Sequence, residues 1–299
     1  MSHSLELIEK IFCKEKYTEV SRVFADKKYA VVKGEVLSQY AYNAPNARQS
    51  SDVDILVPRM YLKDIEESLR TNSFETEYLS RRDTVMLLTS SHQTLPWSKC
   101  LYPWGNLIID LNFDIFWGEY EGKRVDIDAF LSDTVDVDIC GVKIKSLSPL
   151  KAMVQLILHN YKDMNSIYLL SVGKSIKYSM FKDIYYLLKN NADTVSVEKL
   201  FNICEEYEII PYAYYVLFYT SQIFKDDMLS QYAEAFKTSE GERLLNCYGF
   251  CSNERKEWLC YFWTRVETDD LFSLIRNDLN EKDREKIAIN KRVFLGISE

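Results

Sequence analysis

Apolar and polar residues along this 299-residue chain follow two different periods, and the change between them divides it. In the first part, short β-branched runs stand between helical stretches. The runs 29–33, 53–57, 84–88 and 107–115 read as strands. The amphipathic segment 4–10 reads as a helix, as does 35–42, where Val36, Leu37, Tyr40 and Ala41 offer an apolar face. After Pro149 helical spacing takes over, in 150–160, 180–189, 197–205 and 212–224, and then on to about Ala288. The pattern predicts an α/β (α+β) unit with a mixed sheet over 1–145 and a helical domain over 146–299. Between two candidate strands, 89–104 reads as a long loop carrying Pro96, Trp97, Pro103 and Trp104. Loops of that length in compact domains are often functional, so it is a cover for a site or a plain hydrophobic flap.

One polar pattern recurs inside the apolar runs. Asp-x-Asp occurs at 52–54, 126–128 and 136–138, and side chains two apart on a strand share a face. The third copy has a structural explanation. The runs 135–139 and 142–145 flank Cys140-Gly141, a two-residue hairpin turn. In that register Asp138 faces Lys143 and Asp136 faces Lys145, while Val137, Ile139, Val142 and Ile144 take the buried side. Asp126 and Asp128, preceded by Lys123 and Arg124, read as a solvated edge.

Asp52 and Asp54 differ because of what precedes them. The strand 29–33 breaks at Gly34 into the helix 35–42, and such a turn lets backbone N–H groups approach a phosphate. A polar loop, 43–51, then leads into the Asp-x-Asp strand. Two carboxylates so close repel each other unless a cation lies between them or one is protonated. Mg²⁺ is held by one or two carboxylates together with substrate phosphates. A phosphate cradle and a metal pair thus fall on consecutive elements.

Composition narrows the class. The net charge of −8 argues against a general nucleic-acid binder. Lys174, Lys177 and Lys182 cluster with Tyr178, Tyr185 and Tyr186, which reads either as a nucleotide-accepting stretch or as the wet face of an amphipathic helix. The seven cysteines show no zinc spacing; Cys247 and Cys251 form a lone pair on what reads as a helix. An odd count without a secretion signal predicts reduced, buried thiols and a cytoplasmic chain. No run approaches the length of a membrane helix. His159, on a core helix, reads as a structurally hydrogen-bonded histidine.

With Lys33-Gly34, Arg48, Asp52 and Asp54 in this order, the chain resembles the nucleotidyltransferase superfamily. It is most similar to a bacterial family of uncharacterised nucleotidyltransferases that read Lys-Gly, a helix, then Arg-x-x-x-Asp-x-Asp. Asp110-Leu111-Asn112-Phe113 corresponds to a later strand of that family, and Leu147-Ser148-Pro149 with His159 to its following helix. The resemblance covers roughly 28–165. Two departures stand out: Glu35 follows Gly34 where relatives carry serine, and Asn112 stands where relatives carry histidine. A carboxylate at 35 would repel phosphate unless it points away.

The resemblance implies a Mg²⁺-dependent (or Mn²⁺-dependent) transferase. It would move a nucleoside monophosphate from a nucleoside triphosphate such as ATP to an acceptor hydroxyl, releasing pyrophosphate. Asp52, Asp54 and Asp110 would be the catalytic and metal-holding acids, with Lys33, Gly34, Arg48 and Ser51 binding the nucleotide. Asp110 and Asp114 compete for the third acidic position, and the family pattern favours Asp110. The helical half would shape the acceptor pocket, for a small molecule, a peptide, a protein or an RNA end. Other readings are an inactive nucleotide-binding regulator of the same fold, and a metal-dependent phosphotransferase or hydrolase.

Overall fold

The computed structural model describes residues 2–48, 50–117, 124–250 and 253–295. The described residues fall into two compact units that divide between Ala152 and Met153. The first opens with helix α1 (Ser2–Val23), strand β1 (Ala30–Val31) and helix α2 (Glu35–Tyr42). Strand β2 (Val53–Leu56), helices α3 (Leu62–Thr71) and α4 (Arg81–Ser90), and strands β3 (Trp97–Leu101) and β4 (Gly105–Asn112) follow. The short helix α5 (Ile127–Phe130), strands β5 (Val135–Ile139) and β6 (Val142–Ser146), and the start of α6 (Pro149–Asn165) complete it.

The six strands form one mixed sheet in the order β3-β4-β2-β1-β6-β5. The innermost pair β2·β1 is antiparallel, the pairs β2·β4 and β1·β6 on either side of it are parallel, and the two edge pairs are antiparallel. Period-2 alternation gives each strand two unlike faces. On β4, Leu107, Ile109 and Leu111 enter the core, joined by Val53 and Ile55 of β2. Tyr17, Val20 and Phe24 near the end of α1 and Ile65 and Leu69 of α3 cover that face. The residues between them, Asp54, Asp110 and Asn112, therefore belong to the opposite face. As a central strand, β2 is buried along its whole length, Asp54 included.

The hairpin at 135–146 has the expected register, Asp136 opposite Lys145 and Asp138 opposite Lys143. Lys145 Nζ lies 2.7 Å from Asp136. Cys140 and Gly141 both have positive φ, as a turn that follows the strand twist requires.

Four expectations about this unit are corrected. Residues 84–88 lie in α4 rather than in a strand; Ser80 caps that helix by accepting from Asp83 N–H, a local signal that outweighs the β-branched pair Thr84-Val85. The expected loop 89–104 contains β3, antiparallel to β4. Asp126 is a helix cap rather than part of an edge, accepting from the N–H groups of Asp128 and Ala129. Not all thiols are reduced: Cys13 of α1 and Cys140 of the hairpin turn form a disulfide, their Cα atoms 6.2 Å apart. Their 127-residue separation gives no sequence signal for pairing. Cys100 is free and exposed, while Cys204, Cys247 and Cys260 are free and buried or half-buried.

The second unit is helical: α7 (Ile167–Ser171), α8 (Tyr178–Asn190), α9 (Val197–Glu206), α10 (Ile210–Phe224), α11 (Asp227–Ala235) and α12 (Ser239–Leu244). A two-stranded hairpin, β7 (Cys247–Tyr248) and β8 (Lys256–Glu257), precedes α13 (Phe262–Glu267), α14 (Phe272–Ile275) and α15 (Glu281–Leu295). Cys247 thus lies on a strand and not on a helix, and Cys251 is outside the described residues. On α8 the buried residues Phe181, Ile184, Leu187 and Leu188 face the core. Tyr185 stacks on Phe224 and donates to Asp226, and Lys182 lies over the Tyr186 ring, so this basic-aromatic stretch has the packing of an amphipathic helix. No described helix is long and apolar enough to cross a membrane.

Candidate functional site

Parallel pairing of β2 with β4 sets Asp54 directly opposite Asp110. Both carboxylates belong to the sheet face turned away from the α1 and α3 core. Asp54 is buried and would be costly to keep charged without a cation. Lys33, just past β1, supplies one: its Nζ is 2.7 Å from Asp54 Oδ1. Asn112 Nδ2 donates to the same oxygen at 3.2 Å and to the Asp110 carbonyl. The residue that departs from the family pattern is thereby an orienting group for Asp54. Asp52 lies in the bend before β2 and accepts from Ser50 Oγ at 2.8 Å.

Gly34 makes this arrangement possible. It is the residue before α2, with φ 60° and ψ −130°, a conformation open only to glycine. A Cβ there would meet Ser50 Cβ at 3.2 Å. The turn therefore presses against the segment leading into Asp52, with the first N–H groups of α2 beside it. Gly34→Ala is expected to cost about 1–3 kcal/mol, read as a lower urea midpoint. A variant as stable as the parent would mean that the turn relaxes freely.

Glu35 does not confront the turn. Its carboxylate is buried against α1, where Lys16 Nζ donates at 2.6 Å and Tyr17 OH at 2.7 Å. Burial and the Glu35 charge together push the Tyr17 hydroxyl well above its ordinary pKa, so it stays a donor. The carboxylate that replaces the usual serine is thus neutralised from behind and pins α2 to α1.

The loop between α2 and β2 carries Arg48. Ser38, fully buried on α2, shapes it by donating to Ala44 O at 2.7 Å and accepting from Arg48 N–H at 3.0 Å. Ser51 is exposed, and its neighbour Ser50 is the serine that touches an acid. A cavity of about 210 Å³ is lined by Cys13, Lys16, Glu35, Asn46, Arg48 and Ser50, among others. An adjoining one of about 680 Å³ shares Asn46 and reaches Cys140. Neither is lined by Asp54 or Asp110.

Asp114, the rival acid, lies beyond the end of β4. It accepts from Phe116 N–H at 3.0 Å, with Arg124 3.8 Å away. Burial raises its pKa to about 6 despite those contacts. A carboxyl whose folded pKa lies above its unfolded value holds its proton better when folded. Stability from this group is therefore full below about pH 4 and is lost as pH rises through about 6. Asp114→Asn keeps the acceptor and removes the buried charge. It is expected to stabilise the protein at pH 8 by at most about 3 kcal/mol, from a shift of roughly two units at 1.4 kcal/mol each. At pH 4 it should do nothing; an equal gain in urea unfolding at both pH values would refute the buried charge.

His159 Nε2 is 3.5 Å from Asp163, which also lies near Lys162 and Lys174, all within the helical unit. Among the described residues, no three His, Cys, Asp or Glu side chains form a group able to hold a metal ion. The donor chemistry at Asp54 and Asp110 still fits a hard divalent cation: both are oxygen donors, and Asp54 already binds the cationic Lys33. Mg²⁺ takes only one or two protein carboxylates and fills its shell with phosphate and water. Sequence reasoning missed Ser38, Ser50 and the role of Asn112, since hydroxyl and amide contacts leave no periodic signal.

No curated protein matches the chain. Among solved structures, an antigenic nucleotidyltransferase-like protein from Paracoccidioides brasiliensis is similar over 76% of this chain and 92% of its own, at 18% identity and a TM-score of 0.44. A family model described as uncharacterised nucleotidyltransferase matches residues 10–225, from α1 through α10. That span takes in every residue of the glycine turn, both facing aspartates and most of the chain, which therefore belongs to the family of uncharacterised nucleotidyltransferases.

Proposed function

We propose that this nucleotidyltransferase moves a nucleoside monophosphate from a nucleoside triphosphate to an acceptor hydroxyl, with Mg²⁺ or Mn²⁺ bound at Asp54, Asp110 and Asp52. The observation that supports it best is Asp54 opposite Asp110 on adjacent parallel strands, next to the Gly34 turn. The N–H groups at the start of α2 receive phosphate oxygens, and Arg48 and Lys33 offset their charge. Lys33 compensates the Asp54 charge, its Nζ donating to Asp54 Oδ1. Asp110 accepts the proton of the attacking hydroxyl. That oxygen bonds to the α-phosphorus and the bond to pyrophosphate breaks. A divalent ion here would polarise the phosphate oxygens and stabilise the leaving charge. Asn112 and Ser50 hold the Asp54 and Asp52 carboxylates in place.

A second reading, a nucleotide-binding regulator without turnover, draws support from the Lys33–Asp54 pair, since an ammonium occupies one of the carboxylate oxygens. Incubation with each nucleoside triphosphate, Mg²⁺ and candidate acceptors, followed by mass spectrometry, separates the two. Transfer adds a nucleoside monophosphate to an acceptor and releases pyrophosphate. A regulator leaves the triphosphate intact. Hydrolysis to a diphosphate and inorganic phosphate would refute both.

A further inference from the structure

The disulfide sits at a place where it touches the nucleotide loop. Cys13 is a lining residue of the 210 Å³ cavity, together with Arg48 and Ser50. Cys140 lines the 680 Å³ cavity with Ala44, Pro45, Asn46 and Ala47, the stretch that leads into Arg48. Asn46 lines both, and its Oδ1 is 3.8 Å from Cys140 Sγ. The two sulfurs therefore stand on the walls of two neighbouring cavities that residues 44–48 and Ser50 also line. Ser50 in turn holds Asp52.

We infer that the Cys13–Cys140 bond is a redox latch on triphosphate binding: the oxidised protein holds the 44–48 segment in its binding arrangement, and reduction loosens it. The inference rests on the nucleotide-site reading above and names its regulation. The chemistry is thiol–disulfide exchange. Cys13 is buried and Cys140 half-buried, so a dithiol reductant attacks Cys140 Sγ. The Cys13 sulfur leaves as a thiolate into a cavity whose charged lining is Lys16 and Arg48 against Glu9 and Glu35, and takes up a proton from solvent. The second thiol of the reductant then displaces Cys140, giving two protein thiols and a cyclic disulfide. A low-molecular-weight disulfide reverses the exchange. In the bond neither sulfur carries a proton. Once reduced, the Cys140 sulfur is no longer tied to Cys13 of α1 and can move off Asn46, 3.8 Å away in the bonded state, which removes the contact that shapes the segment. Reduction does not free α1 as a whole, because Lys16 and Tyr17 still hold Glu35 and Val20 and Phe24 stay in the core. The change is confined to the cavity wall.

Two measurements on the full chain test this. Calorimetric titration with ATP and Mg²⁺ should give an affinity about tenfold weaker after treatment with dithiothreitol, the cost of re-ordering a few side chains on binding. Cys13→Ser and Cys140→Ser should match the reduced parent and ignore the reagent, while Cys100→Ser should behave as the parent does. Hydrogen exchange over 43–51 should quicken on reduction without any nucleotide present. Faster exchange with no ATP binding in either state would remove the nucleotide reading and, with it, the latch on triphosphate binding, leaving only a redox-coupled loop. Unchanged exchange over 43–51, or equal ATP affinity in the two redox states, would overturn the latch.

Discussion

Asp54→Asn is expected to lower nucleotidyl transfer by about 10³-fold or more. A carboxylate that helps hold a catalytic cation contributes several kcal/mol to the transition state, and each 1.4 kcal/mol is a factor of ten in rate. The two charges that face each other at Asp54 and Asp110 also fix what happens to stability. Two bare carboxylates would repel each other, and removing one would then stabilise the protein. Lys33 changes that balance, since its ammonium is bonded to Asp54 Oδ1 and is itself largely buried. In Asp54→Asn that ammonium loses a charged partner, so a loss of about 1–3 kcal/mol is expected instead. Asp110→Ala should behave differently: transfer falls as far, while triphosphate binding, which rests on the Gly34 turn and Arg48, persists. Turnover by mass spectrometry and binding by calorimetry separate the two. Full activity in Asp54→Asn, or equal loss of binding in Asp110→Ala, would remove these acids from the roles assigned to them.

The parts of this site that follow local rules could be read along the chain. The glycine turn and α2 stand where the strand-breaking Gly34 and the apolar spacing of Val36, Leu37 and Ala41 put them. The 135–146 hairpin has the register that opposite charges dictate. What was hidden depends on strands meeting across long separations. That Asp110 pairs with Asp54 needs β4 beside β2 in parallel, which no two-residue period reveals. The partner of Glu35 comes from α1, nearly twenty residues earlier, so its carboxylate read as a threat to phosphate when it is a buried anchor. Local signals also competed. The β-branched pair Thr84-Val85 suggested a strand, but a capping serine at 80 began a helix. The 89–104 stretch, rich in proline and tryptophan, concealed β3 because Trp97 and Leu101 are its only buried residues and the three between them are polar or sulfur-bearing.

Reduction of the protein, or Cys13→Ser, is expected to lower stability by up to about 5 kcal/mol. The bond closes a loop of 127 residues, and the unfolded chain loses entropy roughly as the logarithm of that length. The loop spans nearly the whole sheet unit, from α1 to the β5–β6 turn, so the constraint acts on every strand at once. In the folded state the same two elements are held together by other means: α1 is tied to α2 through Lys16 and Glu35, and Tyr17, Val20 and Phe24 join Val137, Ile139 and Ile144 in one core. The reduced protein should therefore still fold, with its melting temperature lower by on the order of 10 °C. Cys140→Ser should match Cys13→Ser, since either breaks the same loop. Cys100→Ser, at an exposed free thiol, should change nothing. Calorimetric melts with and without dithiothreitol read this directly. If the reagent shifted the parent and Cys13→Ser by the same amount, the stabilising bond would have to lie elsewhere. If it shifted neither and the variant melted with the parent, the folded core alone would hold α1 against the hairpin, and the constraint on the unfolded chain would be negligible.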